Sequence, residues 1–187
     1  MQILTPHTEV VLKLLLPTHS KELFHLADTN RTHLREWFAW VDHTSSESDT
    51  QQFIQNSLSK LCGMTGFNCG VWYQDRLVGV LEIHDWKHTL YRAELGYWLS
   101  KEATGKGIMT SAVQGLTNYL FQELPIHALE IRCAVRNEKS QQVAIRCGFV
   151  LEGKIRQGTV TSQGFEDVFL YSLLREDWTR QHDTANQ

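Results

Sequence analysis

Two glycines flank a lysine at Gly105-Lys106-Gly107, and the residues after them, Ile108, Ala112, Leu116 and Leu120, repeat every four positions as one helical face would. A loop of this kind in front of a helix can hold a phosphate. Glycine lets the backbone approach with no side chain in the way, the first N–H groups of the helix point outward, and the dipole leaves that end positive. Lys106 adds a charge. From Ala103 through Gln122 there is no Asp or Glu, although the first turn is where acids ordinarily favour the dipole. An end left unneutralised suits a ligand that brings its own anion. Spacing excludes two other phosphate loops: a dinucleotide GxGxxG needs glycine where Thr110 stands, and a Walker loop needs Ser or Thr directly after Gly-Lys, where Gly107 and Ile155 stand. A glycine pair before a helix also serves as a plain turn.

The loop needs a strand before it and a sheet behind it. Tyr91 to Leu99 reads as that strand, and Leu129, Ile131 and Cys133 alternate with Glu130 and Arg132 as the next one would after Pro125 ends the helix. Upstream, Val10 to Leu16 is apolar enough for a strand and stops at Pro17; Thr18 and Ser20 offer N-cap oxygens to a helix carrying Leu23, Phe24, Leu26 and Ala27. A second helical stretch runs around Arg31 to Trp40. A third starts near Ser46, with Asp49 in capping-box spacing. Phe67 to Tyr73, a polar turn and Leu77 to His84 form a hairpin. Asn137 to Ser140 opens a further helix that Gly148 would end, and strands near Phe149 to Gln157 and Phe165 to Leu174 close the chain as a second hairpin. Alternating helices and strands with hairpins imply a mixed α/β sheet covered by helices.

Composition agrees with one globular domain: 187 residues, 42% hydrophobic and 21% charged, bury a substantial core unaided. The net charge of -3 argues against a dedicated nucleic-acid binder. Val10 to Leu16, interrupted by Lys13, is far shorter than the ~20 residues of a membrane span, and no Lys or Arg precedes Lys13, so no signal peptide and no membrane partner are expected and the chain reads as cytoplasmic. Cys62, Cys69, Cys133 and Cys147 form no CxxC pair and read as reduced thiols; the histidines are scattered without HExxH, so no metal is expected. Trp and Phe near the N-terminus point to a homodimer.

Three segments in order carry a resemblance. Ala93-Glu94-Leu95-Gly96-Tyr97-Trp98-Leu99, then Thr104-Gly105-Lys106-Gly107-Ile108-Met109-Thr110, then Asn137-Glu138-Lys139-Ser140 to Cys147-Gly148-Phe149, resemble the GCN5-related N-acetyltransferase (GNAT) superfamily, and within it the branch of ribosomal-protein N-terminal serine/alanine acetyltransferases. Glu152 to Arg156, Asp167 and Tyr171-Ser172-Leu173 also look like that branch. The resemblance implies a single N-acetyltransferase domain over residues 1–178, with 179–187 a polar tail. Its fold would be a mixed, mostly antiparallel sheet splayed between its fourth and fifth strands and flanked by helices. Acetyl-CoA would be the cosubstrate, its pantetheine arm paired with the backbone of Tyr97, Trp98 and Leu99 and its pyrophosphate on the N–H groups from Gly105 to Thr110. Asn137 would bond the pantetheine and Ser140 would lie near the thiol sulfur. The acceptor would be an amine such as a ribosomal protein N-terminus; a polyamine, amino acid or antibiotic acceptor and a non-catalytic acetyl-CoA-binding module are the alternatives.

Three positions depart from the superfamily pattern. Its usual tyrosine acid falls on Ala144, which makes Ser140 the substitute, and the carboxylate that serves the serine acetyltransferases as base aligns with Thr159. Thr104 stands where Gln or Arg usually opens the phosphate loop. Glu94 lies where histone-type relatives carry their base, yet also suits a cross-strand pair with Arg92 or Arg132. Glu82 and His84 are the alternative bases. Asn137 suits an Asx turn as well as a cofactor contact. Trp37, Trp40 and Trp86 either floor an acceptor pocket or sit in the core, the more common place for tryptophan.

Overall fold

A computed structural model describes residues 1–185; Asn186 and Gln187, the last residues of the expected polar tail, lie outside them. Among the described residues one eight-stranded sheet runs in the order β1-β2-β3-β4-β5-β6-β8-β7, with β1 Gln2–Leu4, β2 Val10–Leu14, β3 Phe67–Tyr73, β4 Arg76–Lys87, β5 Arg92–Leu99, β6 Ala128–Ala134, β7 Val150–Thr161 and β8 Gly164–Leu174. Every neighbouring pair is antiparallel except β5 and β6. That parallel contact is the consequence of the crossover through α4, Ile108–Glu123, since a parallel return needs a helix-length connection. The remaining helices are α1 Ser20–Thr29, α2 Arg31–Arg35, α3 Glu47–Cys62, α5 Glu138–Arg146 and α6 Arg175–Ala185.

Period-2 alternation, its phase reversed by the β-bulge where Leu77 to Gly79 oppose Val71 and Trp72, distributes the apolar side chains of β3 and β4 to two cores. Cys69, Val71, Leu81 and Ile83 join Ala112, Leu116 and Leu120 of α4 on one face. Trp72, Leu77 and Val80 meet Leu23 of α1 and Ile54 of α3 on the other. Helices therefore cover both faces, as patterning requires. Ser46 caps α3 with the expected capping box: its Oγ accepts from Asp49 N, and the Asp49 carboxylate accepts from Ser46 N at 2.9 Å. Gly148 sits just past α5 at φ 81°, the left-handed conformation that favours glycine.

The structure corrects four sequence expectations. A short strand, β1, precedes the first one anticipated and pairs with β2, so the expected fourth and fifth strands, between which the splay falls as expected, are β5 and β6. The helix expected over Arg31 to Trp40 is broken: α2 ends at Arg35 and a 3-10 turn follows at Ala39–Asp42. Arg31 favours that break by donating to the carbonyls of Val41 and Thr44, at 2.6 and 2.5 Å. Neither Thr18 nor Ser20 caps α1; His19 holds the cap position without a side-chain bond, and Ser20 Oγ donates to Glu47 Oε1 of α3 instead. The polar stretch from Thr179 continues α6 through Ala185, and that helix is anchored by Trp178, whose indole donates to Asn118 Oδ1 at 2.7 Å and packs on Phe121.

Candidate active site

The parallel register of β5 and β6 runs only from Arg92↔Ala128 to Leu95↔Ile131. Beyond it the strands part: β6 stays with β8, and Gly96 to Leu99 keep β4 on one side and no strand on the other. The gap opens a cleft of about 800 Å³. Its lining contains Glu82, His84, Glu94, Tyr97, Trp98, Leu99, Thr104, Gly105, Gly107, Ile108, Met109, Thr110, Asn137 and Ser140. Of the cofactor contacts and acid–base candidates expected from sequence, Lys106 alone is missing; it is exposed and outside the lining.

At one end of the cleft lies the loop before α4. Gly105 and Gly107 have φ of 77° and 75°, and a Cβ built on either would meet nothing within 4 Å, so the space in front of both is open. Gly107 is the N-cap of α4 with no side-chain cap, and the first turn holds no acid. Ser111 N is bonded to Gly107 O at 3.0 Å, which leaves the N–H groups before it as the helix's unpaired donors. Ile108 and Met109 line the cleft and are buried in the core. Thr104 Oγ1 donates to Lys101 O, so its hydroxyl is spent inside the loop. Open left-handed glycines, free amides and an unneutralised dipole fit a pyrophosphate, and the unpaired edge of β5 beside them fits an extended amide-bearing arm.

In the middle of the cleft, α5 meets β5. Asn137 is the N-cap of α5 and accepts from Ser140 N at 3.2 Å; its Nδ2 takes no part in that bond. Ser140 Oγ donates to the Tyr97 hydroxyl, and Cys133 of β6 lines the cleft beside Ser140. Burial drives the Tyr97 phenol above its ordinary range and pushes the Cys133 thiol up to about 11, so both hold their protons at neutral pH. Ala144, in the position of the usual tyrosine acid, is fully buried.

At the base of the splay, Glu94 stands in register with His84 across β4 and β5. Its carboxylate, 12% exposed, lies 3.6 Å from His84 Nε2 and 3.4 Å from Arg132 Nε. Burial raises the Glu94 pKa; His84 and Arg132 oppose the rise without cancelling it. Arg92 pairs with Glu130 rather than Glu94. Glu82 is the cross-strand partner of Gly96, where a Cβ would come within 2.9 Å of Glu82 Oε1 and 3.0 Å of His84 Nε2; glycine there gives both side chains their room over β5.

Aromatic side chains rim this end. Trp37, Phe38, Trp40 and Trp98 line the cleft, and Trp40 packs on Trp98 at 5.9 Å between centroids. Trp86 belongs to the core, stacked on His88, so the three tryptophans weighed from sequence divide: Trp86 core, Trp37 and Trp40 at the site. Thr159 and Thr161 of β7 also line the cleft. Sequence reasoning missed the Tyr97 side chain, named only for its backbone, and Arg132 and Cys133 as cleft residues; Arg132 and Cys133 are neighbours on β6 with opposite faces, so alternation alone could not have placed both there. Among the described residues no cluster of His, Cys, Asp or Glu is placed to hold a metal, and no helix is long and apolar enough to cross a membrane.

Comparison with known proteins agrees with this geometry. The family model described as acetyltransferase (GNAT) domain matches residues 10–150. The chain is 34% identical over 171 residues to YdaF of Bacillus subtilis (strain 168), covering 90% of this chain and 93% of that one. It is 32% identical to the ribosomal-protein-serine acetyltransferase of Escherichia coli (strain K12), covering 83% and 87%. Among solved structures, the ribosomal α-N-protein acetyltransferase RimL in complex with coenzyme A superposes with a TM-score of 0.88 at 26% identity over 92% of this chain and 97% of that one.

Proposed function

The chain belongs to the acetyltransferase (GNAT) family and uses acetyl-CoA to acetylate amines, and we propose that its acceptor is the α-amine of a protein N-terminus, as the ribosomal-protein name of its Escherichia coli relative suggests. The observation that carries this reading is the carboxylate of Glu94, half-enclosed between His84 and Arg132 where β5 and β6 part. It supplies one proton acceptor of moderate strength and no strong base. Deprotonating an α-amine of pKa ~8 at pH 7 costs about 1.4 kcal/mol, against about 4.6 for a lysine at ~10.4. Such a site favours the α-amine.

In this mechanism the acetyl-CoA pyrophosphate lies on the amides from Gly105 to Thr110, and the pantetheine arm continues the sheet along Tyr97 to Leu99, with Asn137 as a further contact. The incoming amine enters between Trp37, Trp40 and the β7 threonines, and Glu94 with His84 takes up its proton directly or through water. The neutral amine attacks the thioester carbonyl; the C–S bond then breaks, the departing thiolate takes a proton from the hydrogen-bonded hydroxyls of Ser140 and Tyr97, and the second proton, lost by the nitrogen as the amide forms, passes through water to restore that hydroxyl pair. Transfer is direct, without an acyl-enzyme. We place the reaction in the cytoplasm.

Acetyl-CoA with peptides bearing N-terminal Ser or Ala, with N-acetyl-lysine-blocked controls and with spermidine, read by product mass, tests the acceptor. Acetylation confined to the peptide α-amine supports the reading. Turnover of spermidine alone would replace it with a polyamine reading, which the two carboxylates Glu82 and Glu94 in one cleft also suit. Purification as a homodimer would not bear on either.

A further inference from the structure

The two walls of the acceptor end come from segments far apart in sequence, and one side chain ties them. Arg136 sits in the turn between β6 and α5, outside the cleft lining. Its Nε donates to both Glu166 oxygens, at 3.0 and 2.8 Å. Nη1 donates to Glu36 Oε1 at 2.9 Å and Nη2 to the Glu36 carbonyl at 3.2 Å. The guanidinium plane covers the Trp37 ring, with its carbon 4.3 Å from the centroid. Glu166 in turn accepts from Thr161 Oγ1, and both Trp37 and Thr161 line the cleft.

We propose that Arg136 is a positioning residue for acceptor recognition: it straps the Trp37 wall to the β7–β8 wall and so fixes the width of the opening through which the amine enters. The inference rests on the reading of that opening as the acceptor site. Arginine fits the task because its planar fork serves carboxylates on two segments while its face stacks on an aromatic ring; lysine has neither the fork nor the face. The ion pairs are partly exposed, with side-chain exposure of 32% for Arg136 and 48% for Glu36. Pairs in such a setting add little to global stability, so loss of the strap falls on the placement of Trp37 rather than on folding. Misplacing a substrate-positioning group by an ångström costs on the order of ten- to a hundredfold in kcat/KM for the acceptor.

The test compares the parent with Arg136→Ala, Arg136→Lys and Trp37→Ala, using an N-terminal Ser peptide and acetyl-CoA. Arg136→Ala is expected to raise acceptor KM by roughly tenfold or more, with kcat and the acetyl-CoA KM within about twofold of the parent. Arg136→Lys is expected not to restore it, and Arg136→Ala is expected to add nothing further in the Trp37→Ala background. Amide hydrogen exchange supplies a readout independent of the acceptor: in Arg136→Ala, residues 34–42 and 158–166 exchange faster while residues 104–110 do not. Unchanged exchange in both walls overturns the strap, as do full rescue by lysine, additive loss with Trp37→Ala, or an equal loss of acetyl-CoA affinity. A parent that acetylates no peptide overturns the acceptor reading instead, while the exchange measurement still decides whether Arg136 holds the walls together.

Discussion

Tyr97 and Ser140 are hydrogen-bonded to each other twice: the Ser140 hydroxyl donates to the Tyr97 oxygen at 3.1 Å, and the Tyr97 hydroxyl donates to the Ser140 carbonyl at 3.0 Å. The second bond ties the strand edge to the first turn of α5 across the middle of the cleft. Either proton can pass to a leaving group if the pair reorients, and one hydroxyl can replenish the other. Tyr97→Phe and Ser140→Ala are each expected to lower kcat by about ten- to a hundredfold with little change in the acceptor KM. The double variant is expected to lose little more than the worse single one, because groups acting as a unit are non-additive. Steady-state kinetics on the three variants check it; multiplicative losses would separate the two roles.

Glu94→Gln is expected to cut kcat/KM by about a hundredfold or more, the ordinary contribution of a proton acceptor. The parent's acid limb in kcat/KM should fall above the usual carboxylate range, because burial raises the Glu94 pKa, and the variant should lose that limb. Stability moves the other way. A raised folded pKa means the folded chain keeps a proton that the unfolded chain has released, so stability declines as pH climbs from the ordinary glutamate value to the raised one. Removing the charge is therefore expected to leave the neutral-pH melting temperature unchanged or higher. A variant that is both inactive and several degrees less stable would make Glu94 a structural ion-pair partner.

Gly107→Glu places bulk and negative charge in the open space before α4, at a residue with φ of 75°. Calorimetric titration with acetyl-CoA is expected to show affinity reduced by at least about tenfold, from charge repulsion at the helix N-terminus and left-handed strain together. Gly105→Ala, strained but uncharged, should lose less. Equal affinity in parent and Gly107→Glu would remove the loop from the cosubstrate site.

Ser46→Ala deletes the Oγ that caps α3 while its partner Asp49 keeps only the Ser45 and Ser46 backbone bonds and the Ser45 hydroxyl. Urea denaturation should show a loss of about 1 kcal/mol, with kinetic constants like those of the parent. A changed acceptor KM would mean that the α3 start shapes the cleft.

Much of this arrangement is legible in the sequence because it is local. The glycine loop, the α3 capping box, the Gly148 stop and the hairpin of β3 and β4 are each specified within a few residues, and all appear in the structure. What escapes the sequence is set at long range. Nothing near Arg31 shows that its guanidinium will bond Val41 and Thr44 and end a helix early. Three residues, Gln2 to Leu4, are too few for periodicity to register; β2 makes them a strand. In the site, period 2 put Glu82, His84 and Glu94 on adjacent strands but could not say that Glu94 pairs with Arg132 while Arg92 takes Glu130, since that choice follows from the β5–β6 register. Arg136 carries no motif at all, because its partners lie 30 and 100 positions away.

The parting of β5 and β6 also makes the sheet unfinished. Among the described residues, Gly96 to Leu99 have no partner strand on the β6 side, and His33 bonds the Leu99 backbone. A cosubstrate that lies along them acts as a removable strand, ordering the two halves of the sheet as well as supplying an acetyl group. Saturating acetyl-CoA at a hundred times its Kd should add about 2.7 kcal/mol to unfolding free energy, and a thermal-shift scan of CoA thioesters would read that gain with no acceptor in the tube.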